Sequence, residues 1–156
     1  MLKILFLFVL INLQILSAND NPQKIASAIV YSVEDESWKD VNDAVKDAIA
    51  SNGIVISYTS HAKKLLDRTA KVVGTKQDTY LGAQIHLFCQ VPLAHKMIKV
   101  NPHIISGCPY GISVYELKSN PGTIYVSHRA FMNSEPAYKD VIKLQTSIIK
   151  EALDLE

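Results

Sequence analysis

Hydrophobic and polar residues recur along this chain with a period that changes from segment to segment, and each change predicts an element. Residues 28–33 form a short β-branched and aromatic run of strand length. From Trp38 the period lengthens, and Trp38, Val41, Val45, Ala48 and Ile49 recur at helical spacing to give one apolar face. Ser37 is the expected cap of that helix and Asp40 its reciprocal capping-box partner. Asn52-Gly53 should end it, because glycine accepts the left-handed conformation without a steric penalty. Residues 54–59 return to a period of two, with Ile54, Ile56 and Tyr58 on one face.

Ser60 is read as the cap of a short helix over residues 61–68, followed by a polar loop at 74–79. Alternation resumes over residues 81–89, where Leu81, Ala83, Ile85, Leu87 and Cys89 share one face and Gln84, His86 and Phe88 the other. Cys89 is therefore expected on the apolar side, and His86 on a solvent-facing or sheet-pairing side. Pro92 fits the first turn of a helix running to about Val100, which Asn101-Pro102 stops. Within it Leu93, Met97 and Val100 share a side, so His95 faces away from them. Residues 110–117 and 123–128 predict a hairpin around the turn residues 118–122. A long closing helix begins near residues 134–136, with Val141, Leu144, Ile148, Ala152 and Leu155 at spacings of three and four.

The order strand, helix, strand, linker, strand, helix, hairpin, helix has no βαβ alternation and no internal repeat. It predicts an α+β fold: an antiparallel sheet with helices packed on one side. Ahead of it, residues 1–18 have one lysine, a short apolar run and then Ser17-Ala18, the pattern of a secretory signal peptide. The expected organisation is a signal peptide at 1–18 and one domain at 19–156, exported to a periplasmic or extracellular location. No later stretch has the length and hydropathy of a membrane span. The expected mature chain holds equal numbers of basic and acidic residues, so its even charge argues against nucleic acid and gives no reason to expect a membrane partner.

Two cysteines, Cys89 and Cys108, bracket His95, Met97 and His103. In an oxidising compartment such a pair is a disulfide staple, a redox dithiol or part of a soft-metal site. The even cysteine count favours a staple, provided that the two alpha carbons come within about 7 Å. The metal alternative uses Cys89, His95 and Cys108 as soft and borderline ligands suited to copper, although their spacing matches no zinc pattern. A third alternative is a thiol enzyme in which Cys89 is the nucleophile and His95 its base. His61 is a further candidate ligand at the start of its helix, and the His128-Arg129 pair would suit a small anion. No nucleophile elbow, phosphate loop or zinc-protease signature is present.

Phe88-Cys89, Ala94-His95-Lys96-Met97, Asn101-Pro102, Cys108-Pro109 and Ile112-Ser113-Val114-Tyr115 occur in an order and spacing that resembles the exported, cysteine-containing members of the family called domain of unknown function 302. The likeness extends to His61 and Leu65-Leu66 upstream and to Tyr125-Val126 and Arg129 downstream. It implies a TATA-binding-protein-like α+β fold and supplies no activity or catalytic residue. The resulting expectation is a non-enzymatic binding or accessory domain with a small-ligand or protein partner and no assigned cofactor. Its open sheet edges make a homodimer a further expectation.

Overall fold

The computed structural model describes residues 21–76, 78–130 and 136–156, so the expected signal peptide lies outside the described residues. Among these residues the elements run β1 (Gln23–Ile25), β2 (Ala28–Glu34), α1 (Trp38–Ser51), β3 (Ile56–Ser60), α2 (Ala62–Ala70), β4 (Tyr80–Phe88), α3 (Val91–Val100), β5 (Tyr110–Leu117), β6 (Asn120–Arg129) and α4 (Lys139–Ala152). Short 3-10 segments at Pro102–Gly107 and Pro136–Tyr138 join α3 to β5 and lead into α4. The strands make one sheet in the order β1-β2-β6-β5-β4-β3, with every neighbouring pair antiparallel. This is the α+β architecture expected from the element order.

Local chemistry explains most boundaries. The Ser37 side chain accepts a hydrogen bond from the Asp40 backbone N–H at 3.1 Å and caps α1. Gly53, at φ +70°, turns the chain out of it. At α2 the cap position belongs to His61, not Ser60, because Ser60 is still paired in β3 opposite Ile85. The β5–β6 turn is tighter than expected: Leu117 pairs with Asn120 across Lys118-Ser119. Pro121-Gly122 then falls in an irregular part of β6, where Gly122 takes φ +85° and its N–H donates to the Glu116 carboxylate.

Register fixes which face is buried. Tyr31 lies beside Val126 and Val126 beside Val114; His128 lies beside Ile112 and Ile112 beside His86; Phe88 lies beside Tyr110. These side chains share one face and pack with Val41, Val45, Ala48 and Ile49 of α1, Met97 of α3 and Val141, Ile148 and Ile149 of α4. The β4 phase is the reverse of the one expected. His86 and Phe88 are fully buried, whereas Leu81 is 43 % exposed, and the Leu81–Leu87 set belongs to the opposite face. Alternation locates two faces of a strand without saying which is covered, and here the polar residues have partners that make their burial tolerable.

Candidate functional site

The cysteines sit at the two ends of the α3 segment, Cys89 just after β4 and Cys108 just before β5. They are joined by a disulfide with alpha carbons 6.3 Å apart. The sulfurs are thereby bonded to each other, so the set Cys89, His95 and Cys108, and a Cys89 nucleophile, would exist only in the reduced chain. His95 is exposed on α3, while Met97 is 1 % exposed and its sulfur receives the Tyr110 hydroxyl at 4.0 Å. No group of three or more His, Cys, Asp or Glu side chains converges to hold a metal ion among the described residues.

A different polar cluster occupies the junction of α1, β3, α2 and β4. His86 sits with no exposed surface between Asn42 and Thr59. Its Nε2 is 2.9 Å from Asn42 Oδ1, and its Nδ1 is 3.1 Å from Thr59 Oγ1. The amide oxygen only accepts, so Nε2 carries the proton and Nδ1 accepts from the threonine hydroxyl. Burial pushes the His86 pKa down to about 4, helped by the charge of Lys46 and by His61 and opposed by Asp43. This imidazole is neutral at ordinary pH and ties α1 to two strands.

His61 sits one layer further out. Gln84 Nε2 donates to its Nδ1 at 3.0 Å, which leaves the Nε2–H of the neutral ring available for another partner. His61 and Gln84 line a cleft of about 610 Å³ together with Trp38, Lys63, Lys64, Asp67 and Arg68. The indole lies against Gly82, whose missing side chain makes the approach possible: a Cβ there would stand 2.6 Å from the ring. Trp38 Nε1 donates to the Val114 carbonyl at 3.2 Å and holds the ring in place. Lys63 pairs with Asp67, whereas Lys64 and Arg68 make no ion pair among the described residues. The cleft is therefore basic, with an aromatic wall and fixed amide and imidazole groups.

His128 and Arg129 both border a cavity of about 180 Å³, but their side chains leave β6 on opposite faces. His128 is 2 % exposed and turned into the core, its Nδ1–H donating to the Arg129 carbonyl, while alternation along β6 sends the exposed Arg129 side chain to the other face. His103 is exposed on the 3-10 turn after α3. Of the sequence candidates, only His61 falls in the cleft. The cluster behind it was missed, although one signal was present: Asn42 interrupts the apolar face of α1 between Val41 and Val45. A buried amide there calls for a polar partner on the sheet.

The family described as "Domain of unknown function DUF302" matches residues 29–154. The chain belongs to this family. A solved DUF302 structure, described as an uncharacterized conserved protein from Bacillus stearothermophilus, superposes with a TM-score of 0.64 at 12 % identity. The match covers 82 % of this chain and 99 % of that one. At that identity the likeness concerns the fold. No curated protein matches the chain.

Proposed function

We propose that this DUF302 domain is an exported, non-catalytic binding protein for a small anion, taken up in the cleft between Trp38 and α2. The observation that carries the reading is the composition of the cleft: Lys64 and Arg68 unpaired among the described residues beside His61, Gln84 and the fixed Trp38 ring. Cations without internal partners supply charge-assisted hydrogen bonds to a carboxylate or phosphate, and an indole face adds apolar area for a planar ligand. The neighbouring His86 supports binding over catalysis, because a base that protonates near pH 4 does little general-base work at neutral pH. The Cys89–Cys108 bond is the chemistry of an oxidising compartment and supports export.

Calorimetric titration with inorganic phosphate and with benzoate tests this reading. Saturable binding of at least one is expected, weakened about tenfold or more for each cation removed in Lys64→Gln and Arg68→Gln. Binding that survives loss of both side chains would place the ligand elsewhere.

A further inference from the structure

The face of the sheet turned away from α1, α3 and α4 has a hollow built into its register. In one row across the strands Ala28 lies beside Arg129 and Gly111 beside Leu87, with Gly111 and Arg129 brought together one residue beyond the Ile112–His128 pair. In the next row Val30 lies beside Ser127, Ser127 beside Ser113 and Ser113 beside Ile85. Large side chains therefore stand on β6, as Arg129, and on β4, as Ile85 and Leu87, while β5 between them presents only Gly111 and Ser113. Two strand spacings, about 10 Å, separate β6 from β4. The result is a cavity of about 180 Å³ that Pro109 also borders. Gly111 keeps it open, because a Cβ there would stand 3.1 Å from the Leu87 side chain.

The two sides of this hollow differ in chemistry. Arg129 is the charged side chain of the lining, since the neighbouring His128 turns its ring into the core, and it makes no ion pair among the described residues. A guanidinium presents paired N–H donors in the fork geometry that a carboxylate fills. Ser113 adds a hydroxyl, whereas Ser127, 7 % exposed, is engaged with the hydroxyl of Tyr115. Opposite them Ile85, Leu87 and Pro109 form an aliphatic wall. An amine would meet like charge at Arg129, and an inorganic anion would leave the wall wet. The cavity is smaller than those that hold drug-sized ligands, which excludes a long chain. A carboxylate carrying a tail of a few carbons satisfies both sides.

We propose that this hollow binds a short-chain aliphatic carboxylate, with its head on Arg129 and Ser113 and its tail laid across Gly111 against Ile85 and Leu87. The site shares no lining residue with the cleft beside α2. Amide NMR of the full chain titrated with butyrate tests it. Saturable shifts are expected at Gly111, Ser113 and Ser127, with affinity rising about fourfold for each methylene added from acetate through propionate to butyrate. n-Butylamine should leave these signals in place. Arg129→Gln, at an exposed position, should weaken butyrate about tenfold or more. The same variant should keep the Trp38 emission response to benzoate, and Lys64→Gln with Arg68→Gln should keep the butyrate shifts, so failure of either site is read separately from the other. No saturable shift at the three residues, equal shifts with n-butylamine, unchanged affinity in Arg129→Gln, or shifts that vanish in the Lys64→Gln, Arg68→Gln variant would overturn the proposal.

Discussion

His86 has no contact with water, and its two ring nitrogens are both committed, one to Asn42 and one to Thr59. Burial lowers its pKa from an ordinary 6.5 to about 4. In the unfolded chain the same ring takes up a proton near pH 6.5, so the unfolded state binds more protons between these values and gains on the native state as pH falls. The stabilisation is therefore complete above pH 6.5 and is lost progressively as pH drops toward 4. His128, whose pKa burial also lowers, contributes in the same direction. Urea midpoints measured across this window should decline with acid, and His86→Leu should flatten part of the slope. A midpoint that is flat down to pH 4 in the native sequence would refute a buried neutral His86. Asp43, held down to about 2 by hydrogen bonds to Lys39 and Lys46, responds to acid below this window. None of this was legible from His86 alone, since a histidine on a strand reads as solvent-facing until Asn42 is brought against it from forty-four residues away.

At the scale of elements, the close approach of Trp38 of α1 to β4 rests on one glycine. Gly82 admits the Trp38 ring, and three of its carbons would lie within 2.8 Å of a new Cβ. Gly82→Ala should destabilise the domain by about 1–3 kcal/mol as the indole is forced off its seat. The sole tryptophan emission of the chain should shift at the same time. Unchanged stability and an unchanged spectrum would mean that the ring does not rest there. Most elements were readable locally, because Ser37, Gly53, Pro92 and Asn101-Pro102 carry their own capping and breaking chemistry. What local pattern left open was orientation. Period two in β4 separated Leu81, Ala83, Ile85 and Leu87 from Gln84, His86 and Phe88, but which set met the helices depended on Asn42, Thr59 and His61. The three-residue β1 was missed because Gln23-Lys24-Ile25 is wholly exposed and has no pattern of its own.

For the whole molecule, the disulfide closes the α3 segment between β4 and β5 across a separation of 19 residues. On a chain-entropy estimate this contributes about 3 kcal/mol. Intact protein should gain the mass of two hydrogens on reduction and lose about that much stability, whereas two free thiols in protein purified without reductant would remove the staple. Element order and the spacing from Phe88 to Tyr115 made the fold and the family legible, since both follow from contiguous sequence. The cleft was not, because Trp38, His61, Lys64, Arg68 and Gln84 come from three elements and meet only when α1 and α2 close over β4. Even net charge hid it further by averaging the cations of α2 with acids elsewhere. Trp38 on the wall of that cleft reports anion binding directly. Titration of Trp38 emission with phosphate and benzoate should give a saturable change that disappears in the Lys64→Gln, Arg68→Gln double variant and is absent with choline. No saturable change with either anion, or the same change with choline or in the double variant, would contradict it.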